Sequence, residues 1–245
     1  MKQSQLYNIL DSVDSTNNYA MGKVHEGLAT HGMAWFAHAQ TAGKGQRGKE
    51  WNSEAGQNIL MSIVLKPALV FRARPFCFSA FIALCCHEVL TQQTHNDFFI
   101  KWPNDLYWRD RKAGGILIEN NFSGTEWKWS VVGIGINVNQ TMFNNGVSKA
   151  VSMGEITNAS LDPVAIGAVL HEHILTKYRD VNEDNVKSLV PQYNEVLYKR
   201  GQEVQLRRNF AAFQTTIKGV NETGQLLTKD TEERTFNFGG VEWIL

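Results

Sequence analysis

Hydrophobic positions along the chain fall into short runs with two kinds of spacing. Asp14, Ser15, Thr16 and Asn17 offer helix N-caps ahead of a short helical stretch to about Glu26. Residues 33–39 read as a buried strand, and residues 59–65 carry the β-branched run of a central strand. Between them, residues 43–56 are rich in glycine and cations. From Pro75 to about Thr91 the chain predicts its best helix, with Phe76, Ser79, Ala80, Ala83, Leu84 and His87 at helical spacing. Residues 98–101, 115–119 and 129–138 predict three further strands. Two helices follow, one opened by Asp162 and Pro163 and running to about Tyr178, the other from about Asp184 to Leu197.

The pattern changes near Lys199, Arg200 and Gly201. Beyond them come short alternating runs at 203–206, 215–220, 225–228 and 240–244, with a turn signal at Asn221 to Gly224. About 45 residues of short strands predict a small β-barrel that needs a larger body to dock on. The expected organisation is a domain over 1–198 and a second over 199–245. The first mixes helices and strands without regular βαβ alternation, which places it in the α+β class with a mixed or antiparallel sheet.

Composition narrows the classes of function. Among 245 residues, 24 Lys+Arg balance 24 Asp+Glu, which argues against a surface built as a whole to hold a polyanion and leaves room for a local basic site. Three cysteines, Cys77 and the adjacent Cys85 and Cys86, lack metal-ligand spacing, fit a reducing cytosol and argue against structural zinc. The richest apolar stretch, 76–90, is interrupted by Ser79, His87 and Glu88, short of the roughly 18–20 residues of a membrane span. Residues 1–5 lack the apolar core of a signal peptide. A soluble, cytoplasmic protein is the expectation.

Three segments carry chemistry. Residues 40–51 place Lys44, Arg47 and Lys49 among Gly43, Gly45 and Gly48, a match to GxGxxG. A dinucleotide fingerprint needs a helix beginning inside the glycines, and residues 49–58 have no helical apolar period. A Walker loop needs Ser or Thr after Gly-Lys and is excluded. What remains is a glycine loop that can wrap N–H groups and charge around an anion, or a solvated basic hairpin. In the second segment, the turn signal Pro103-Asn104-Asp105 follows Lys101 and precedes Lys112. A hairpin there would bring both lysines to one end of a sheet, with Asp105 near enough to pair with one of them; surface charge on a hairpin is the plainer reading. The third segment, 131–139, sets Gly133 and Gly135 inside an apolar run that ends at Asn137. Glycines in a buried strand mark close approach of a ligand or backbone. Asn137 either closes the strand as a turn residue or contacts a ligand.

Taken together, Ser15-Thr16-Asn17, Gln40, the basic loop ending in Trp51, the KWPNDL element at 101–106, the Lys112-Ala113-Gly114-Gly115 step and the GIGIN strand resemble the biotin–protein ligase family over nearly the whole chain. The resemblance implies a mixed-sheet catalytic domain, class II synthetase-like and shared with lipoate ligases, followed by a small SH3-like β-barrel. It implies activation of biotin with ATP and Mg²⁺ to biotinyl-5′-adenylate. Transfer to a lysine on the biotin carboxyl carrier protein or domain of a biotin-dependent carboxylase, such as acetyl-CoA carboxylase, would follow. By the same resemblance Lys112 touches the carboxylate and phosphate and Lys101 is a second cation. Asp105 either accepts the acceptor lysine's proton or orients Lys112 or Lys101. Biotin would lie among Ser15, Thr16, Asn17, Gln40, Gly43, Lys44, Gly45, Gln46, Lys112 and Gly115. The nucleotide would lie among Lys44, Arg47, Gly48, Trp51, Asn104 and Asn137. No protein-built metal site is implied, and the loop is expected to close when ligand arrives.

Two departures matter. The family's loop often reads GRGRRG; here Lys44 lacks the arginine fork and Gln46 lacks a charge, so looser adenylate retention is expected. Some members carry an N-terminal operator-binding helix-turn-helix; Ser15 stands 14 residues from Met1, so a ligase without repressor activity is expected, with neither DNA nor membrane as partner. A homodimer through a sheet edge is compatible with the sequence. Lipoate- and octanoyl-transferring relatives favour a short glycine motif without this basic loop, and a non-catalytic sensor would lack Lys112.

Overall fold

The computed structural model describes residues 6–143 and 149–244; the expectation made from residues 1–5 lies outside them. Seven strands form the first sheet: β1 (Tyr7–Val13), β2 (Ala34–Gln40), β3 (Asn58–Leu65), β4 (Phe99–Lys101), β5 (Asp105–Trp108), β6 (Arg111–Ser123) and β7 (Glu126–Asn137). Their order is β1-β2-β3-β7-β6-β5-β4. β1 and β2 are parallel and every other pair is antiparallel. The class is therefore α+β with a mixed sheet, as expected from the sequence.

Among the described residues six α-helices accompany it: α1 (Thr16–His25), α2 (Leu69–Arg72), α3 (Pro75–Thr94), α4 (Met153–Thr157), α5 (Pro163–Arg179) and α6 (Glu183–Glu195). α1 crosses one face of the sheet, packing Ala20 on Trp35, Val64 and Val131. α3, α5 and α6 join the main core on the other face. β3 lies between these layers with all eight residues buried, which is why its sequence reads as a continuous apolar run rather than an alternation. α3 corrects the expected stripe. It is buried at Cys77, Phe78, Ala80 to Cys86, Val89 and Leu90, and the half-buried side is the one holding Phe76, Ser79 and His87. By length and composition α3 could cross a membrane; most of it is buried inside the protein, as in a core helix.

The hairpin reading is corrected too. The turn at 102–104, with a cis Trp102–Pro103 peptide, joins β4 to β5, and Lys112 lies on a third strand, β6, reached through a second turn. β1, β5, α2 and α4 were not expected from the sequence.

The second sheet comprises β8 (Glu203–Arg208), β9 (Ala211–Val220), β10 (Leu226–Lys229), β11 (Glu233–Phe236) and β12 (Glu242–Ile244), in the order β11-β10-β9-β8-β12 and antiparallel throughout. It fits the SH3-like tail. Leu206, Ile217, Val220, Leu226 and Phe236 belong to the same buried cluster as α3 and α6, so the small sheet has no separate core. Asn194 fixes the junction by donating to the Val220 carbonyl at 2.9 Å and accepting from the Val220 N–H at 2.7 Å. The Trp102 indole donates to the Gly224 carbonyl at 2.9 Å. Residues 196–198 run beside β4, Ile100 N–H to Val196 carbonyl at 2.8 Å and Tyr198 N–H to Ile100 carbonyl at 2.9 Å, covering that sheet edge.

Candidate active site

Side chains alternate between the two faces of a strand, so Gly133, Gly135 and Asn137 share the face of β7 opposite Val132, Ile134 and Ile136. The apolar set faces the α3 core. The glycine set leaves room for side chains from elsewhere. A Cβ at Gly133 would collide with Asn17 Oδ1, and one at Gly135 would lie 2.6 Å from the Trp51 indole. The register carries this face across the sheet: Leu60 pairs with Gly135, Gly135 with Gly115, Gly115 with Asp105, and Asp105 with Lys101. One row of five strands thus floors a cleft of about 1090 Å³.

The two ends of the cleft differ in chemistry. At one end, where α1 begins, Ser15, Thr16, Asn17 and Ser62 are buried. The Thr16 backbone N–H donates to Gln40 Oε1 at 2.7 Å, with the Thr16 hydroxyl 3.0 Å from the same oxygen. Ser62 Oγ lies 2.6 Å from Asn17 Oδ1 and 2.8 Å from Thr16 Oγ1. Asn17 Nδ2 donates to Glu119 at 2.7 Å. This end is neutral and hydrogen-bonding.

The other end is cationic. Lys112 Nζ pairs with Asp105 at 2.7 Å and lies 5.6 Å from the Trp51 ring centre. Lys101 Nζ donates to Tyr107 Oη at 3.1 Å and lies 4.8 Å and 5.4 Å from the Tyr107 and Trp243 rings. Burial pushes the Lys101 ammonium down to about 8; Asp105 opposes the shift, while Lys112 and Lys49 add to it. Burial, then Asp105, pushes the Tyr107 phenol up, so Tyr107 stays neutral and accepts from Lys101. Asn137 Nδ2 lies 3.4 Å from the Lys112 carbonyl and 3.3 Å from that of Val151, holding the Lys112 strand against the 149–151 segment.

The basic loop is a tight turn rather than a helix start. Trp51 N–H reaches the Gly43 carbonyl at 2.9 Å, Gly45 N–H reaches that of Lys49 at 2.6 Å, and Arg47 sits at φ 57°. Arg47 donates to the Gly239 carbonyl at 3.4 Å and Gln46 to that of Ile116 at 3.4 Å, so the loop spans both sheets. Asn104 also donates to the Ile116 carbonyl.

Of the residues singled out from the sequence, Ser15, Thr16, Asn17, Gln40, Lys44, Gly45, Gln46, Arg47, Trp51, Lys101, Asn104, Asp105, Lys112, Gly115 and Asn137 all line this cleft. Gly43 and Gly48 do not. Gly43 is buried beneath the Trp51 backbone, and Gly48, at φ 74°, shapes the turn. Sequence reasoning missed Tyr107 and Trp243 in the lining, and Ser62 and Glu119 behind it. Ser62, a polar break in a buried run, was the readable signal among them. Among the described residues, no group of three or more His, Cys, Asp or Glu side chains could hold a metal ion.

Residues 9–137 match the family model described as the biotin/lipoate A/B protein ligase family. The chain is 33% identical over 170 residues to the bifunctional ligase/repressor BirA of Escherichia coli, a match covering 66% of this chain and 50% of that protein. It is 35% identical over 161 residues to the biotin–[acetyl-CoA-carboxylase] ligase of Paracoccus denitrificans, covering 63% of this chain and 65% of the relative. The biotin protein ligase of Aquifex aeolicus, solved in complex with biotin and ATP, superimposes with a TM-score of 0.80 at 26% identity, covering 96% of this chain and 97% of that one. The matched region spans about half the length of the Escherichia coli relative.

Proposed function

The chain belongs to the biotin/lipoate A/B protein ligase family, and on that premise we propose that it is a biotin–protein ligase. The observation that carries the proposal is the pairing, in one cleft, of a neutral hydrogen-bonding end with a cationic end built on Lys101 and Lys112. Biotin has the matching asymmetry: a neutral ureido ring at one end and a carboxylate at the other. In the first step the biotin carboxylate oxygen bonds to the α-phosphorus of ATP and pyrophosphate leaves. Two anions must approach, so Lys112 and Lys101 offset their repulsion and stabilise the charge on the phosphoryl oxygens. Mg²⁺ would be held by the ATP phosphates, with no protein ligand set among the described residues, and would supply further positive charge there. In the second step a carrier lysine amine attacks the biotinyl carbonyl, the C–N bond forms and AMP leaves with the bonding pair. Asp105, paired with Lys112, would take the amine's proton or orient Lys112.

Biotin would occupy the Ser15, Thr16, Asn17 and Gln40 end, and the adenylate the Trp51 and basic-loop end. The catalytic unit is 1–198 and the SH3-like unit 199–245. The acceptor is the biotin carboxyl carrier domain of a carboxylase, and the site of action the cytoplasm. The buried amide and hydroxyl groups support biotin over lipoate, whose dithiolane ring offers no N–H or C=O to pair with them. Pyrophosphate–ATP exchange with biotin, lipoate or octanoate added singly tests the proposal. Exchange with biotin alone is expected; exchange with lipoate alone, or with none of the acids, overturns it.

A further inference from the structure

Glu119 lies behind the neutral end of the cleft, joined to it through Asn17. We infer that Glu119 is a positioning residue that fixes the direction of the hydrogen bonds running from Asn17 through Ser62 to Thr16, and thereby selects a ligand edge with an N–H beside a C=O. The inference rests on the biotin reading above.

A carboxylate only accepts, so Asn17 must turn its amide nitrogen to Glu119, at 2.7 Å. The same nitrogen lies 3.4 Å from the Leu117 carbonyl, so both of its protons have acceptors. Asn17 Oδ1 must then face Ser62, whose hydroxyl is 2.6 Å away and has a single proton to give. With that proton on Asn17, Ser62 Oγ is left as an acceptor for Thr16, 2.8 Å off. The Thr16 hydroxyl proton is thus used inward, on Ser62 or on Gln40 Oε1 at 3.0 Å. Gln40 is oriented independently: the Thr16 backbone N–H holds its oxygen at 2.7 Å and leaves its amide N–H₂ for the ligand. The cleft therefore presents a lone pair on Thr16 beside a donor on Gln40, the complement of one ureido edge.

A neutral amide at 119 removes the nearer of the two acceptors that require the Asn17 nitrogen and leaves only the Leu117 carbonyl at 3.4 Å to hold the direction. Asn17 could then turn its oxygen to residue 119 and its nitrogen to Ser62. The Ser62 proton would then turn to Thr16 Oγ1, which no longer has to donate inward to Ser62, and the Thr16 proton could turn toward the cleft, where a ligand N–H needs a lone pair.

The test compares steady-state pyrophosphate exchange in four forms of the full chain. Glu119→Gln is expected to raise the biotin KM about tenfold, the scale of one lost hydrogen bond, with kcat and the ATP KM within about twofold of the unvaried chain. Asn17→Asp, which sets one carboxylate against another, should raise the biotin KM further. The pair N17D/E119Q restores a donor facing an acceptor and keeps an oxygen toward Ser62, so the biotin KM should return to within about threefold of the starting value. A biotin KM in E119Q within twofold of the unvaried chain overturns the inference, as does a double variant no better than Asn17→Asp. If E119Q does not fold, the comparison of Asn17→Asp with the double variant decides alone. The unvaried chain is measured first: absence of biotin-dependent exchange there would sink the functional proposal rather than the role of Glu119.

Discussion

At the scale of the residue, the cleft combines a lysine that pairs with a carboxylate and a lysine held against aromatic rings. Lys112→Ala should lower adenylate formation by at least ~100-fold, comparable to the ~2.7–4 kcal/mol of a lost oxyanion donor. Unchanged exchange in that variant would remove Lys112 from its role. Lys101 makes a different prediction. Its ammonium is the useful form, so kcat/KM for ATP should fall as pH rises through about 8. Folding lowers its pKa from the ordinary 10.5, so the folded state binds fewer protons between about 8 and 10.5, and stability rises with pH across that window. Lys101→Met should accordingly raise Tm at pH 7 while lowering exchange; a lower Tm would contradict the desolvation argument. Gly135→Ala drives a methyl into the Trp51 indole and should raise the ATP KM about tenfold, within the ~1–3 kcal/mol range of overpacking, with little effect on biotin. Equal effects on both substrates would separate Trp51 from the nucleotide. Lys101, Asp105 and Lys112 were singled out in the sequence because two lysines flank a Pro-Asn-Asp turn, but surface charge was the plainer reading of that turn and their roles followed from the family resemblance alone. Glu119 was not, because a carboxylate closing the expected strand 115–119 reads as solvated, whereas β6 runs on to Ser123. Trp243 was not, because an aromatic residue in a strand reads as core.

At the scale of the element, the long apolar segments were readable and the short ones were not. β3 and α3 announce themselves by continuous apolar composition, although α3 is buried on more sides than its spacing implied. β1 was missed because its residues are mostly half-buried or exposed at a sheet edge, where Asn8, Asp11 and Ser12 blur the alternation. β5 was missed because four residues between two turns carry no period of their own. The basic loop was legible as a glycine-rich turn carrying cations, while its tethers to Gly239 and Ile116 depend on partners 192 and 70 residues away. Gln46 is where its charge is missing. Gln46→Arg should slow release of the bound adenylate, measured as an off-rate after single-turnover formation; an unaltered rate would show that loop charge does not limit retention.

At the scale of the whole molecule, the C-terminal sheet is part of both the core and the cleft. Phe238, Val241 and Trp243 line the cleft, and Leu206, Ile217 and Phe236 share the main hydrophobic cluster. Truncation after residue 198 should therefore lower Tm and impair exchange as well as carrier transfer. A folded, truncated chain with full transfer would refute this dependence.

The two ends of the cleft also differ in how far along the chain their parts lie. The Lys101–Tyr107 contact spans 6 residues, whereas Thr16–Gln40 spans 24, Ser62–Asn17 spans 45 and Asn17–Glu119 spans 102. Closing longer loops has a higher entropy cost, so contact order separates the lysine hairpins from the neutral end in time as well as in space. The expected folding order puts the β4, β5 and β6 hairpins carrying Lys101, Asp105 and Lys112 first, and the neutral end later, together with the Trp51 and Trp243 contacts of the cationic end. The lysine pair is thus assembled from neighbouring stretches of chain, whereas telling one carboxylic acid from another depends on the register of the whole sheet.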